Sequence, residues 1–591
     1  MADTSANGTD IAIPVLIVGA GPAGLTLALA LARHGVPALT VERHPSTAHT
    51  PRAHIINQRT VEIFRALGIG EKFHEVAIPQ AAMTNNLWYT TLADPEVARS
   101  QTWGTGPDRA AEYFLASPEP MANCAQTVLE PMLLAAAREA GADIEFQIEF
   151  VELHQDADGV TSVIRDRATG DTRRVRSRYV IGADGANSRV LTQAGLTVEG
   201  RDDLGRAANI WFRADLSRFF EHRPGVLSWN VMPGPLPPLR LGTLICHKLY
   251  TEFVLAFMYN PDETTLSEVD QDALLRRIRA VVGEDIDAEI LGVAAWQVRA
   301  QVAARYSSGK VFCMGDAVHR HPPTNGLGLN MSVADAYNLA WKLAFVLDGR
   351  AGERLLDSYS AERQPVGAAG VNRAITSLNE SSAIETALGL KPGQSAEDGW
   401  KALNVLYEPG VAGDERRRAL RMAIELSNYQ FNAHGIELGY RYRSAVITED
   451  PMLPPHPYRD PVLYYTPTTR PGAHVPHARL EHARRPLSSL DLVDPQGFTL
   501  LTGVGGRDWR ACADRVATRV GVPIRVHVIG ERGGLCDPYG DWASRCEVDT
   551  TGCVLVRPDG HVVWRSYASG PQVPQQLSDA VERALGLTAA Q

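Results

Sequence analysis

The N-terminal segment holds an uncharged run, residues 11–32, that limits what the chain can fold into. The run is long enough to cross a bilayer, but Pro14 and a cluster of glycines at residues 19–24 interrupt it. Residues 15–18 are apolar and mostly β-branched, which is typical of a strand buried on both faces. Residues 25–33 have a helical composition. The run therefore predicts a strand, a tight turn and a helix in an α/β domain.

The turn has the glycine spacing of a dinucleotide-binding loop. The first glycine permits the tight turn, the second lets a pyrophosphate approach the backbone, and the third lets the helix pack on the strand. A second apolar strand, residues 38–41, ends at Glu42, whose carboxylate could accept hydrogen bonds from both ribose hydroxyls. An acid there indicates an adenosine ribose without a 2′-phosphate, as in NAD or FAD. The candidate cofactor contacts of this unit are Gly19, Gly21, Pro22, Ala23, Gly24, Glu42 and Arg43.

Two later segments repeat the pattern of an apolar strand that runs into a glycine-containing turn. Residues 179–185 end in an Asp-Gly pair, and residues 311–316 end in a Gly-Asp pair ahead of a helix predicted at residues 332–347. Each segment alone could be an ordinary turn between a strand and a helix. An acid at a strand end could accept from a ribityl or ribose hydroxyl, and a glycine turn could present N–H groups to a flat ring. The further candidate cofactor contacts are Asp184, Gly185, Asp316, Pro323, Gly326, Gly328, Leu329 and Asn330.

The three segments, in this order, resemble the fingerprints of the class A FAD-dependent aromatic hydroxylases, which have the para-hydroxybenzoate hydroxylase fold. The resemblance runs from about residue 15 to the sequence YSAERQP at residues 359–365, which matches the helix end that closes the FAD module. Within the family, TPRAHIINQRT at residues 50–60 is most similar to the 2,4-dichlorophenol 6-monooxygenase and phenol hydroxylase group. Residues 215–219 and 221–224 fit the same group.

The resemblance implies an FAD-dependent monooxygenase that uses O₂ as co-substrate and NADPH or NADH as a transient reductant. Arg52 would contact the flavin, and Gln126 would lie near the isoalloxazine ring. The implied reaction hydroxylates a phenol-like or hydroxypyridine-like ring, ortho to its hydroxyl, through a flavin C4a-hydroperoxide. The alternatives are halogenation or epoxidation on the same fold, and a non-catalytic binding module.

A base with a pKa near the working pH is needed to deprotonate a phenol. Related phenol hydroxylases carry an aspartate in the loop where this chain has His54. A neutral imidazole could accept the phenol proton, or the side chain could merely hydrogen-bond the loop backbone. The candidate residues of the substrate pocket wall, each of which could equally lie in the core, are Trp229, Cys246, His247, Phe257 and Tyr259.

The expected fold is α/β, with a Rossmann-like FAD-binding domain, an inserted, mostly antiparallel β-sheet substrate domain and a C-terminal thioredoxin-like domain. Strand-like stretches between turn-rich segments indicate the insertion. The C-terminal pattern resembles that of phenol hydroxylases, but it has no CxxC pair and hence no thioredoxin chemistry. The expected boundaries are 1–198 for the first part of the FAD domain (with residues near 80–115 in the substrate pocket), 199–300 for the substrate domain, 301–400 for the second FAD part, 401–455 for a helical bridge and 456–591 for the thioredoxin-like domain.

Composition excludes several other functions for the chain of 591 residues. Its 58 basic and 68 acidic residues give a net charge of −10, which argues against a nucleic-acid partner. Its seven cysteines have neither CxxC nor zinc-finger spacing, so we expect no metal site and a cytoplasmic location. We expect no membrane segment, a small aromatic substrate as partner, and a homo-oligomer.

Overall fold

The computed structural model of the chain describes residues 11–234, 242–262, 270–452 and 457–587. It confirms the α/β class predicted from the sequence. In the first part of the chain the strands are β1 (Ile11–Val18), β2 (Ala38–Glu42), β3 (Ile55–Ile56), β4 (Ile78–Pro79), β5 (Asn85–Tyr89), β6 (Ala98–Gln101), β7 (Ala122–Asn123), β8 (Asp143–Phe146), β9 (Ile148–Gln155), β10 (Val160–Asp166) and β11 (Thr172–Gly182). The helices are α1 (Pro22–Arg33), α2 (Gln58–Ala66), α3 (Gly70–Val76), α4 (Pro107–Ala116), α5 (Gln126–Glu139) and α6 (Arg189–Gln193).

The uncharged N-terminal run forms β1 and α1, as predicted. β1 lies in the middle of a sheet, between β11 and β2, and both pairings are parallel. Helices cover both faces of such a sheet, so its strands are apolar throughout. Accordingly, the side chains of residues 15–18 are almost entirely inaccessible to solvent.

The inserted region begins after α6. Its elements are β12 (Val198–Arg201), β13 (Arg206–Arg213), α7 (Ser217–Phe220), β14 (Leu227–Asn230), β15 (Thr243–Lys248), β16 (Glu252–Tyr259), α8 (Gln271–Val282), β17 (Glu289–Gln297) and β18 (Ala300–Ala303). Five of these strands form a seven-stranded sheet with β5 and β6, in the order β17-β13-β16-β15-β14-β5-β6. All neighbours are antiparallel except β14 and β5. Residues 85–101 therefore complete the inserted sheet.

The chain then returns to the first sheet. The elements of this part are β19 (Ser307–Ser308), β20 (Val311–Cys313), β21 (His319–Arg320), α9 (Leu327–Leu347), α10 (Arg354–Glu380), α11 (Ala383–Leu388), α12 (Ala396–Asn404), α13 (Val411–Leu426), α14 (Asn428–Phe431) and α15 (His434–Leu438). β20 pairs in parallel with β11. α9 begins before the predicted position 332 because Asn325 and Gly326, both with positive φ, turn the chain directly into the helix.

The C-terminal part forms its own small sheet. Its elements are β22 (Arg479–His482), β23 (Arg485–Ser488), β24 (Phe498–Thr502), α16 (Trp509–Val520), β25 (Ile524–Val528), α17 (Asp541–Arg545), β26 (Cys553–Val556), β27 (Val562–Ser566) and α18 (Val573–Ala584). Four of these strands form one sheet in the order β25-β24-β26-β27, with β24 and β25 parallel and the other pairs antiparallel. The Asp559-Gly560 pair lies between β26 and β27, and Gly560 has φ +83°.

A buried ionic cluster joins this C-terminal part to the helices of the first domain. We define it as Lys342 of α9, Glu362 of α10, and Arg557 and Asp559 of the hairpin between β26 and β27. The Arg557 guanidinium donates to both carboxylate oxygens of Glu362, at 2.7 and 2.6 Å, and Lys342 Nζ donates to one of them at 2.7 Å. Burial opposes ionisation of Glu362, but Arg557 and Lys342 hold its pKa well below the ordinary value.

Two features are absent from the residues that the structure describes. No helix in residues 11–234, 242–262, 270–452 or 457–587 has the length and apolar character to cross a membrane. Within the same residues, no cluster of three or more His, Cys, Asp or Glu side chains could hold a metal ion. All seven cysteines are free thiols, and Cys536 alone is exposed.

Candidate active site

The glycines of the turn between β1 and α1 have different neighbours. Gly19 has φ +106°, and a Cβ atom there would lie 2.3 Å from the carbonyl oxygen of Ala183. A Cβ atom on Gly24 would lie 1.9 Å from the carbonyl oxygen of Gly19. These two glycines are therefore required by the fold itself. Gly21 instead has open space, because the nearest atom to its Cβ position is Glu130 Oε1 at 3.9 Å.

The open backbone at Gly21 leads directly into the N-terminus of α1. Pro22 is the first helical residue, and no side chain caps the helix. The unpaired N–H groups and the dipole of such a helix favour a negative group, and Ala23 belongs to this first turn. The arrangement fits a pyrophosphate that approaches Gly21, as the sequence predicts.

Glu42 lies at the end of β2, beside this turn. Its two carboxylate oxygens accept hydrogen bonds from the backbone N–H groups of Ala20 and His44, both at 2.9 Å. Each carboxylate oxygen can accept a second hydrogen bond, so Glu42 can still bind ribose hydroxyls. The next residue, Arg43, is exposed and donates from Nε to the His44 ring at 3.3 Å.

The two predicted acidic turns differ in what their carboxylates contact. Asp184 accepts from Ser188 Oγ at 2.5 Å and from the backbone N–H of Arg189 at 2.8 Å, so its carboxylate holds the start of α6. Gly185, with φ +77°, has open space around it. The carboxylate of Asp316 is exposed and makes no hydrogen bond to the residues that the structure describes. Of the two acids, Asp316 is therefore the one available to a ligand hydroxyl.

The position of Asp316 depends on a buried acid that the sequence analysis did not identify. Asp335 of α9 accepts the backbone N–H of Gly315 at 3.0 Å. It also pairs with Nε2 of His319 at 2.8 Å and with Nε of Arg363 at 2.7 Å. Burial opposes ionisation, but Arg363 and His319 lower the pKa of Asp335, so the carboxylate stays charged. No local motif marks Asp335, because its partners come from two other segments of the chain, residues 315–319 and Arg363.

The turn before α9 packs closely against the loop that carries His54. A Cβ atom on Gly326 would lie 3.0 Å from Ile55 Cβ, and one on Gly328 would lie 2.9 Å from His321 Cε1. Asn330 donates to the carbonyl oxygens of Ile55 and Gly326, at 2.9 and 2.7 Å, so its amide ties the turn to the loop. Of the other predicted contacts, Pro323 is exposed and Leu329 is buried.

Gln126 and Arg52 both interact with a second acid that was not identified from the sequence, Glu130. Glu130, one turn after Gln126 on α5, accepts from the Gln126 amide and from the backbone N–H of Ala48, both at 2.6 Å. Burial raises the pKa of Glu130, and these two hydrogen bonds and nearby Arg52 oppose the rise. Arg52 is exposed, and the chain shortly before it is anchored to α5 by the hydrogen bond between Ala48 and Glu130.

His54 has one defined ring tautomer. Asn123 of β7 donates from Nδ2 to the carbonyl oxygen of Cys246 at 3.0 Å, which places its Oδ1 against His54 Nδ1 at 2.6 Å. An amide oxygen can only accept a hydrogen bond, so Nδ1 carries the ring proton and Nε2 is left as an acceptor. Burial lowers the pKa of His54 to about 4, and the hydrogen bond to Asn123 opposes this in part. The imidazole is therefore neutral at pH 7, and it is a weaker proton acceptor than the base with a pKa near the working pH that we expected.

The inserted sheet presents Trp229 and Cys246 on opposite faces. Trp229 pairs with Thr243, three residues before Cys246, and successive side chains of a strand alternate between faces. Trp229 is half-buried and donates from Nε1 to Asn86 Oδ1 at 2.8 Å. The Cys246 thiol is buried among apolar side chains, and burial raises its pKa to about 12.

The same alternation moves two other predicted wall residues away from Trp229. Thr243 pairs with Ala256, and Tyr259 lies three residues further along β16. Phe257, on the face of Tyr259, has the guanidinium of Arg277 from α8 over its ring at 3.8 Å. Cys246, Phe257 and Tyr259 therefore lie on the face of the sheet opposite Trp229, whereas the ring of His247 faces that of His54.

Together these groups fit FAD. The open glycine backbone, the uncapped helix and Glu42 suit the adenosine diphosphate part, while Asp316 and the turn at residues 326–330 suit the ribityl and ring parts. Comparison with protein families agrees: the FAD-binding-domain family matches residues 12–374, and the family described as the C-terminal part of aromatic-ring hydroxylases matches residues 468–588. The chain belongs to the FAD-dependent aromatic-ring hydroxylases, which are monooxygenases that use O₂ and a reduced nicotinamide.

Characterised relatives extend over almost the whole chain. The 2,4-dichlorophenol 6-monooxygenase of Delftia acidovorans is 40% identical over 98% of this chain and 99% of its own. The phenol 2-monooxygenase of Pseudomonas sp. (strain EST1001) is 38% identical over 96% and 92%. Among solved structures, the flavin-dependent monooxygenase PieE in complex with FAD and substrate has a TM-score of 0.95 and 48% identity, with 98% of this chain and 100% of that chain covered. The resemblance predicted from the sequence is thus confirmed.

Proposed function

We propose that the chain hydroxylates a phenol-like or hydroxypyridine-like ring, ortho to its hydroxyl, with His54 as the acceptor of the hydroxyl proton. The tautomer of His54 carries this proposal, because its Nε2 is a neutral acceptor beside the predicted flavin contacts. The names of the two relatives support it, since position 6 of 2,4-dichlorophenol and position 2 of phenol both adjoin the hydroxyl.

When bound and reduced by NADPH or NADH, FAD would react with O₂ and so supply the activated oxygen. The predicted contacts that would hold FAD are Gly21, Glu42, Arg52 and Asp316, with Gln126 near the ring. His54 accepts the substrate proton at Nε2, which makes the ring electron-rich at the positions next to the hydroxyl. Asn123 keeps Nδ1–H of His54 engaged, so that Nε2 remains directed to the substrate.

Replacing His54 by alanine is expected to slow product formation about 100-fold at pH 7, the lower end of what a positioned base contributes. FAD binding should be unchanged, since His54 is not among the residues that hold the nucleotide. The defect should shrink as the pH approaches the substrate's own pKa, where the phenol ionises without help. Hydroxylated product is measured by chromatography, because NAD(P)H loss also counts uncoupled turnover. His154→Ala, at an exposed histidine on β9, is the matched control.

The pH dependence gives a second measurement on His54. Burial lowers its pKa to about 4, so the neutral acceptor is present at every pH above roughly 5. The pH profile of kcat/KM reports the ionisation of groups in the free enzyme. On the acid side, kcat/KM should therefore decrease with a midpoint near pH 4, and no decrease should occur near pH 6.5. A decrease near pH 6.5 that disappears in His54→Ala would contradict the buried neutral base.

We also propose the finer features that the sequence resemblance implies. The strand and helix order of the C-terminal part supports a thioredoxin-like fold, with a structural role because it has no CxxC pair. The domain division given above, a homo-oligomeric state and a cytoplasmic location complete the proposal. A screen of phenols and hydroxypyridines scored by product tests the reaction: halogenated or epoxidised products would replace it by the alternative chemistries, and purified protein that never takes up FAD would favour a binding module.

A further inference from the structure

A second histidine faces His54 at the end of β15. The rings of His54 and His247 have their centroids 5.6 Å apart and are tilted by 62°. The pairing of β15 with β16 is irregular between Cys246 and Lys248, and His247 lies at this irregularity. Asn123 fixes both histidines, because its Oδ1 accepts from His54 while its Nδ2 donates to the carbonyl oxygen of the residue before His247. One amide thus connects the His54 ring to the backbone next to His247.

His247 differs from His54 in having no polar partner. It is 9% exposed, and neither ring nitrogen makes a hydrogen bond to any residue that the structure describes. Two other buried histidines each pair one ring nitrogen, His319 with Asp335 and His434 with Gln58. Burial and the neighbouring His54 hold the pKa of His247 well below its ordinary value, so the ring is neutral. A neutral imidazole carries one donor and one acceptor, and unpaired buried polar atoms are unfavourable.

We propose that His247 hydrogen-bonds a second polar group of the aromatic substrate, at the ring position next to the hydroxyl whose proton His54 accepts. The proposal rests on the function proposed above. Because the two imidazoles stand 5.6 Å apart, both can reach the same end of one small ring. A neutral imidazole can pair with a hydroxyl or with a ring nitrogen. The favoured substrates are therefore catechol-like rings and hydroxypyridines with adjacent nitrogen and hydroxyl, rather than phenols with one polar group.

Ligand binding to the holoenzyme tests this assignment. Phenol, catechol and hydroquinone are titrated while the flavin absorbance is followed, and dissociation constants are compared. Catechol should bind wild-type protein about tenfold more tightly than the other two, the value of one hydrogen bond that satisfies a buried group. His247→Phe should remove this preference and leave phenol binding within about twofold. His247→Gln, which keeps a donor and an acceptor, should restore part of it, and His222→Phe, at an exposed histidine, serves as the matched control.

The outcomes separate a recognition role from a packing role. If His247→Phe weakens the binding of all three ligands equally, the His247 ring only fills space. If the wild-type protein and the variant bind the ligands with equal affinity, the ring contacts no polar group of the ligand. Either result overturns the assignment. Failure of the proposed function has a different signature, since wild-type protein would then bind the ligands but form no hydroxylated product from any of them.

Discussion

Replacing Gly21 by alanine is expected to give a folded but colourless protein. The nearest protein atom to the added methyl group would be 3.9 Å away, and the φ of −77° at Gly21 is allowed for alanine, so the fold should tolerate the change. The methyl group would instead occupy the space through which the pyrophosphate approaches the backbone. Overpacking of this kind costs up to about 3 kcal/mol, which corresponds to a loss of FAD affinity of roughly 100-fold.

Two measurements separate fold from cofactor binding in this variant. Far-ultraviolet circular dichroism and the thermal midpoint of the FAD-free protein should match those of the wild type, while titration with FAD gives the weakened affinity. Gly24→Ala is the contrasting variant, because its Cβ atom would lie 1.9 Å from a backbone carbonyl oxygen and α1 could not keep its place. Undiminished FAD affinity in Gly21→Ala would contradict the assignment of Gly21 to the pyrophosphate.

Replacing Arg557 by methionine is expected to lower the free energy of unfolding by about 3–5 kcal/mol. Arg557 donates two hydrogen bonds to Glu362 and pairs with Asp559, and all three side chains are buried. Removing the guanidinium leaves two buried carboxylates with Lys342 as their remaining cation in the cluster. Urea denaturation followed by tryptophan fluorescence measures the loss.

A second variant shows whether the loss comes from an uncompensated charge. In Arg557→Met combined with Glu362→Gln, one carboxylate is removed together with the guanidinium, so much of the lost stability should return. Lys401→Ala breaks an exposed pair with Glu397 and should change the stability by less than about 1 kcal/mol. If Arg557→Met lowers the free energy of unfolding by less than about 1 kcal/mol, the ionic cluster does not hold the C-terminal part against α9 and α10.

The sequence predicts those parts of the molecule whose backbone geometry depends on a few neighbouring residues. The turn at residues 19–24 follows from steric limits on a few glycines, and the apolar residues 15–18 before it lie in β1 as expected. Asn123, Glu130 and Asp335 could not be found in this way, since their partners lie in other segments of the chain. Trp229 and Cys246 show a second limit: both were candidates for one pocket wall, but the pairing of their strands, which the sequence does not reveal, puts their side chains on opposite faces of the sheet.

The parallel pairing of β14 with β5 has a consequence for engineering. The inserted sheet is built from two stretches of sequence, residues 85–101 and the strands from β13 to β17. A chimera that exchanged residues 199–300 alone with a relative would join two strands that evolved with different neighbours, directly beside Trp229. Substrate preference should therefore transfer between relatives only when both stretches are exchanged together.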